Sequence, residues 1–507
     1  MSYLGIDIGT TGCKAVVFDG EGRAISQAYR EYATISPQQG WFELDPRQVM
    51  AACKQTIAEA SGKVKATDAV VAIGVSSQGE AFTILDKRGK YLCNAMVSFD
   101  NRSQPQVREF TESFGDEKLY QITGHSAHTL FSVFKLLWIK QNRPDVFKAI
   151  YRLLCFGDLL TYELTGIAQI SYNLASRTML FDVNKCMWSA PILNVLELDE
   201  KVLSQPVPAG HTAGRITCQV ADELGLNHST VVVAGGHDQC CGALGVGVTG
   251  SGIAAYSIGT VECVTPAFDT CVLNETMRQS NFATYPYTIE GLYTTVAFTT
   301  AGGSLLRWFR DTLGTSEMEQ AKRTGEDVYD LMLKNIPTEP TALFVQPYFA
   351  STGTPYFDPS PLGAIIGLSL TTTKSEMVKA ILESVTYEMK LNLELLRKAG
   401  VDITQLRAFG GGAKSTTWMQ IKADILNIPI TTLAVTEAGC LGAAMLAAKA
   451  SGKVGTLQDC SQMWVKPVQT YEPRPEQSLK YKKRFEVYSH IYDSLKPIRV
   501  MMNKIVY

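Results

Sequence analysis

The 507-residue chain contains no apolar run of about 18 residues, the length a membrane-spanning helix needs, so no membrane association is expected. It also lacks an excess of charge of either sign. Its 47 basic and 49 acidic residues leave a formal net charge of −2, which gives no reason to expect nucleic acid or an anionic surface as partner. No CxxC pair occurs among its 12 cysteines. Cys13, Cys155 and Cys263 sit in apolar contexts typical of reduced thiols, and the adjacent Cys240 and Cys241 do not suit one zinc site. Neither a disulfide framework nor structural zinc is therefore expected. His125 and His128 have the i, i+3 spacing of a helix face, but no carboxylate or further histidine stands with them to make a metal site. The opening "MSYLGIDIGTTG" lacks a basic segment followed by a long apolar one, so no signal peptide is expected and the cytoplasm is the expected compartment.

What is present is an ordinary globular composition, 46% hydrophobic and 19% charged. The length exceeds what one hydrophobic core supports, and roughly two or three domains are expected. Short β-branched runs alternate with helical patterns, which gives an α/β class. "YLGIDIG", "CKAVVFD" and "AISQAYREY" read as strands joined by tight turns, "VVAIGVSSQG" as a buried strand, and "LLCFGDLLTYELTG" as a strand end and a helix closed by Gly166. "IDIGTTGCKAVVF" (6–18) is echoed by "YSIGTVECVTPAF" (256–268), each a strand, an Ile-Gly-Thr turn and a second strand. The simplest arrangement is two similar domains facing a cleft, 1–248 and 249–507. Thr373 and Glu376 form a capping box ahead of a helix carrying Met377, Ile381, Val385, Met389 and Leu393. "ITQLRAFGGGAKSTTWMQIKADIL" supplies a strand, a glycine turn and a helix, and residues 476–502 read as one basic amphipathic surface helix.

In "VVVAGGHDQCCGALGVG" (231–247), a buried strand is broken by two glycines and followed by Asp238 and a helix of small residues suited to close packing. In open α/β sheets ligands sit beyond the carboxyl ends of strands, so Asp238 is either a helix cap or a functional carboxylate. The Gly9-Thr10-Thr11-Gly12 turn exposes successive N–H groups and two hydroxyls, the makings of an anion-binding nest, although a plain hairpin looks the same. Asp7 points a carboxylate at the same place and can hold Mg²⁺ through water, and Lys14 can add charge. Repetition of the turn at Gly259 and Thr260 suggests two turns gripping one polyphosphate. "FGGGAKS" (409–415) fails the P-loop spacing, because Ala413 precedes Lys414, but its triglycine turn lets backbone approach a flat ligand such as adenine.

Together these pieces resemble the FGGY carbohydrate kinases, the group of glycerol, xylulose, gluconate and related sugar kinases. The resemblance runs over roughly residues 3–450 and is carried by "GIDIGTTGCKAVVFD", "SSQGEAFTILDKRG", "VSFDNRS", "KLLWIKQN", "AGGHDQCCGALGVG", "YSIGTVE", "GAIIGLSLTTTKSEMVKAILES", "FGGGAKSTTWMQIKADIL" and "AGCLGAAMLA" in that order. It implies two ribonuclease-H-like domains of the actin, hexokinase and Hsp70 type flanking a catalytic cleft. It implies Asp238 as catalytic base; Gln78, Gly79, Glu80, Asp100 and Gln239 at the sugar; and Asp7 at Mg²⁺. For ATP it implies Gly9, Thr10, Thr11, Lys14, Gly259, Thr260, Gly302, Gly303, Gly410, Gly411 and Ala413. The chain departs from the family pattern at several places. Ketopentose kinases usually carry Met-His-Gly at Gln78-Gly79-Glu80 and Trp-Asn-Asp at Ser98-Phe99-Asp100, and glycerol kinases place an arginine at Gly79. Leu130 breaks the first position of the N-terminal signature met around Ser132 and Lys135.

The expected activity is ATP-dependent phosphorylation of a neutral sugar or polyol, with a ketopentose such as xylulose first and a glycerol- or erythritol-type polyol second. An actin- or Hsp70-like ATPase switch and a catalytically silent sugar sensor are the competing readings. Gly79 leads to the expectation of a pocket wider and less cationic than glycerol kinases have, with Glu80 and Asp100 repelling anionic sugars unless Arg102 compensates. The expected partners are the sugar and ATP, with a homodimer as one form of assembly.

Overall fold

Two sheets, one from each half of the chain, start with the same device, a hairpin whose first strand then gains parallel neighbours. In the first, Ser2–Ile8 pairs antiparallel with Gly12–Phe18 and parallel with Val70–Ser77, which in turn runs parallel to Val231–His237. Thr212–Arg215 and Ala24–Glu31 form its edges. In the second, Ile253–Ile258 pairs antiparallel with Glu262–Phe268 and parallel with Gln405–Phe409, and Ile430–Leu433 extends the parallel run. The echo between 6–18 and 256–268 is therefore an echo of structure. The computed structural model describes residues 1–64, 68–358, 363–502 and 504–505.

Parallel strands are buried on both faces, and Leu4, Ile6 and Ile8 on one face and Tyr3 on the other are accordingly buried. Pro46–Gly62 covers one face of the first sheet. The other face is covered by Ala438–Ala450, a helix from the far end of the chain that lies across Ser2–Ile8 and Val70–Ser77 and against Asp238–Gly245. These contacts require missing side chains. A Cβ on Gly74 would fall 1.9 Å from the Ala443 carbonyl oxygen, and one on Gly442 would fall 1.9 Å from that of Cys241. Small residues thus let two helices and a sheet meet backbone to backbone, as the composition of "CCGALGVG" leads one to expect.

The capping box at Thr373 and Glu376 starts the long helix Lys374–Lys398, and Gly166 in the left-handed region ends Phe156–Thr165. The expected single C-terminal surface helix is instead two, Pro475–Tyr488 and Ile491–Met502. Their tyrosines are drawn inward because buried carboxylates need donors. Tyr481 Oη donates to Glu383 at 3.1 Å and Tyr488 Oη to Glu388 at 2.5 Å, docking the pair on the long helix. Among the described residues no helix is long and apolar enough to cross a membrane.

Candidate active site

Ser2–Ile8, Val70–Ser77 and Val231–His237 run parallel and end on one edge, so the residues after them converge. A cavity of about 580 Å³ opens there, lined by Thr10, Gln78, Gly79, Glu80, Asp238 and Gln239 from the first half and closed by Cys263, Val296 and Phe298 from the second. Asp238 is the first residue of its helix, not the cap; His237 holds that position and no side chain caps. The Asp238 carboxylate accepts from the Gln239 N–H at 2.6 Å and keeps 34% of its side chain open. Burial of the surroundings pushes its pKa up to about 7, with Asp7 and Glu80 adding to the rise and the Gln239 N–H and Arg177 opposing it. His237 Nε2 lies 3.2 Å from Asp238 Oδ1, and its Nδ1 lies 3.3 Å from Tyr285 Oη. Burial, then Arg177 and His125, hold this imidazole well below its usual pKa, so it is neutral. In the tautomer protonated at Nε2 the neutral ring presents an N–H to Asp238 and accepts from Tyr285 at Nδ1.

The other acidic side chains of this region are already paired. Glu80 has φ +57°, a strained value for a non-glycine residue, and Ser132 Oγ holds its carbonyl at 2.8 Å. Its carboxylate is bound by Arg177, whose Nε donates at 2.6 Å. Asp100 does not line the cavity. It is inaccessible and accepts from Arg102 Nη2 and the Phe42 N–H, each at 2.7 Å, while Arg102 also binds Glu43 and lies 3.8 Å over the Trp41 ring. Asp100 therefore shapes the loop whose Ser98, Phe99 and Asn101 do face the cavity. Gln78 is also engaged, donating to the Gly9 carbonyl at 3.0 Å and accepting from Thr10 Oγ1 at 3.2 Å, so it ties the cavity wall to the first turn. Lys135 is fully buried with its amine unpartnered among the described residues; burial lowers its pKa to about 8 against the pull of Glu80 and Asp100.

At Gly79 the expected wider, less cationic space is absent. A Cβ there would meet Arg177 Cβ and the His237 ring at 3.2 Å. The room a side chain would take is filled by another segment, and filled with a cation. With Glu80 and Asp100 paired to arginines, repulsion of anionic sugars by these two acids also loses its basis.

A smaller cavity of about 250 Å³ shares Asp238 and Gln239 and adds Asp7, Ser257, Thr265 and Glu437. Burial raises the Asp7 pKa, a 2.6 Å hydrogen bond from Ser76 lowers it, and Glu437 raises it again. Carboxylates and hydroxyls around so small a space form a hard-oxygen set suited to Mg²⁺, which takes one or two protein carboxylates and completes its shell with water and phosphate. Lys14 does not point freely into the Gly9–Gly12 turn; its amine is 2.5 Å from Glu437 and links the two halves. A third cavity, of about 680 Å³, is lined by Gly259, Thr260, Gly303 and Gly411 together with Arg307, Tyr329, Lys414 and Trp418. The Gly303 N–H donates to the Gly259 carbonyl at 2.9 Å, so Gly302 and Gly303 start their helix directly against the second turn. Gly410, with φ +96°, and Ala413 flank Gly411 without lining this cavity.

Sequence reasoning missed Arg177, His237, Lys135 and Glu437 as members of the site. Of these, His237 is adjacent to Asp238 and Lys135 falls in the N-terminal family signature; Arg177 and Glu437 carried no local signal. Both halves match the FGGY family of carbohydrate kinases, residues 2–245 its N-terminal domain and 254–451 its C-terminal domain. The chain belongs to this family and is a carbohydrate kinase, a phosphotransferase with an alcohol as acceptor. It is 29% identical to a xylulose kinase of Bacillus subtilis (strain 168) over 509 aligned residues, 99% of each chain. A glycerol kinase of Leptothrix cholodnii is 30% identical, the match covering 93% of this chain and 95% of that protein. The solved xylulose kinase of Lactobacillus acidophilus shares the two-domain fold, with TM-score 0.90 at 24% identity over 98% of each chain.

Proposed function

We propose that this kinase transfers the γ-phosphoryl group of ATP to a hydroxyl of a neutral ketose or polyol, with a ketopentose such as xylulose the leading substrate. The observation that carries this reading is that Asp238 lines two cavities at once, the sugar-sized one and the small carboxylate-lined one beside it. A hydroxyl in the first cavity can hand its proton to Asp238 while its oxygen attacks phosphorus entering from the second. The new P–O bond forms as the bond to ADP breaks. His237 turns its N–H toward the carboxylate and fixes its direction, and Gln239 offers an amide to the sugar. The Gly9–Thr11 and Gly259–Thr260 turns are assigned to the phosphates, and the Gly410–Ala413 segment with Trp418 to adenosine. Mg²⁺, when bound near Asp7, neutralises charge on the phosphates. The domains are assigned as 1–248 and 249–507.

A neutral substrate fits a wall where Glu80 is paired with Arg177 and the buried Asp100 behind it is paired with Arg102. A cavity of about 580 Å³ leaves a three-carbon triol loosely held. Sugar-dependent ADP release with xylulose, ribulose, fructose, erythritol, glycerol and gluconate tests the proposal. A ketose is expected to exceed glycerol and gluconate by at least about tenfold in kcat/KM. Glycerol or gluconate as best substrate would sink the substrate assignment, and ATP turnover indifferent to every sugar would sink the kinase reading of the site.

A further inference from the structure

Arg177 caps the short helix Tyr172–Ser176, far in sequence from the segments that form the phosphate turns. Three features hold it in the sugar-sized cavity. Gly79 leaves space along its Cβ and Cγ, at 3.2 and 3.3 Å from where a side chain would begin. Its guanidinium lies 5.1 Å from the Phe131 ring centre and 5.7 Å from that of Tyr285, so aromatic rings bound it. Its Nε and Nη2 both address one oxygen of Glu80, Oε1.

That pairing is lopsided. A guanidinium has five N–H donors and a carboxylate has room for about four hydrogen bonds. Using only Oε1 leaves Oε2 of Glu80 and Nη1 of Arg177 without a hydrogen bond to any described residue. Both side chains line the cavity and are otherwise almost closed off, Arg177 13% and Glu80 5% accessible. One ion pair thus keeps an open acceptor and an open donor in a confined space. Buried polar groups are expected to be satisfied, and the cavity is where the satisfying groups must come from. The residue holding the acceptor is itself in a strained backbone conformation, the kind of local strain that surrounding structure maintains at functional sites.

We propose that Arg177 and Glu80 act together as a clamp for two neighbouring hydroxyls of the acceptor sugar, Arg177 Nη1 donating to one and Glu80 Oε2 accepting from the other. Arg177 is thereby a specificity-determining residue, and the pair selects substrates by the presence of a vicinal diol rather than by charge. This rests on the kinase reading above and adds to it which part of the sugar is read. A single hydroxyl satisfies only half of the clamp.

The test crosses protein variants with substrate variants. Arg177→Met and Arg177→Lys in the full chain are assayed by ADP release with the best neutral sugar and with its single-deoxy analogues. Arg177→Met is expected to lower kcat/KM for the parent sugar roughly 10- to 100-fold while KM for ATP stays within about twofold. On the analogue lacking the hydroxyl that Arg177 reads, wild type and variant should agree within about threefold, because the two deletions remove the same interaction. Other analogues should keep the full loss. Arg177→Lys keeps the charge but not the fork, and should show the same analogue dependence even if Arg177→Met folds poorly. A loss equal on every analogue, or no loss at all, overturns the clamp. A wild type without sugar-dependent ADP release overturns the kinase reading instead, so the two failures are distinct.

Discussion

The sugar-sized cavity and the nucleotide-sized cavity are built from different material. The first is walled by side chains knotted to one another: Gln78 to the first turn, Glu80 to Arg177, and Asp100 behind the wall to Arg102. The second brings glycine backbone at Gly259, Gly303, Gly411 and Gly412 together with side chains such as Arg307, Tyr329, Lys414 and Trp418 that are not tied to one another. Backbone donors serve any triphosphate, whereas paired side chains can be exchanged to suit a different sugar.

The largest effect that sharpens this contrast is expected at the point where the two sides meet. Asp238→Asn should lower kcat roughly 10²- to 10⁴-fold and leave ATP binding intact, which stopped-flow turnover and nucleotide titration can check. A variant keeping more than about a tenth of wild-type kcat would remove Asp238 from the role of base. With its pKa near 7, the carboxylate is lost as base on the acid side. The kcat/KM of wild type should accordingly fall about tenfold per pH unit below that value. Stability runs the other way. A raised carboxylate pKa stabilises the fold below the unfolded value of 3.8, and that contribution fades as pH rises through about 7. Asp238→Asn should therefore raise Tm at pH 8 more than at pH 5.

On the backbone-built side, a single methyl group should be felt. A Cβ on Gly410 would lie 2.6 Å from the Ile258 carbonyl, at a φ that L residues rarely adopt. Gly410→Ala is expected to add strain of about 1–3 kcal/mol, to raise KM for ATP roughly tenfold, and to leave KM for the sugar within about twofold. An unchanged KM for ATP would show that this turn does not serve the nucleotide. The smallest effect is expected behind the side-chain wall. Lys135→Met removes a buried amine without a hydrogen bond, so folding should lose little or even gain. KM for the sugar should rise a few-fold as Glu80 and Asp100 lose a nearby cation, and Tm with sugar kinetics would read both.

The same contrast explains what could be read from the sequence. Backbone devices leave local marks. The Ile-Gly-Thr turns, the capping box at Thr373 and Glu376, Gly166 and the triglycine at 410–412 were all legible, because each is a short pattern with a conformational cause. Asp238 was legible for a similar reason, as a polar residue where a buried strand must end. Side-chain knots leave no such marks. Nothing within "LASRTML" says that Arg177 fills the space Gly79 leaves, or within "FKLL" that Lys135 is buried near Glu80 and Asp100. These pairings join segments roughly 35 to 100 residues apart and appear only once the fold brings them together. Asp100 was placed in the cavity for the same reason, its partner Phe42 being 58 residues away.

The helix Ala438–Ala450 has a consequence for motion. It comes from the second half of the chain yet roofs the first sheet, touching it and Asp238–Gly245 through glycine and alanine backbone. Where backbone meets backbone there is no rotamer to reorder, but Leu441, Met445 and Leu446 of the same helix are buried in one apolar cluster with Tyr3, Phe18, Val233 and Leu244, so the seam is also a shared core. The same crossing forbids the halves from parting. Any opening of the cleft would have to proceed around this seam, and the Lys14–Glu437 ion pair, which also joins the two halves, is a contact such a movement would have to spare or break.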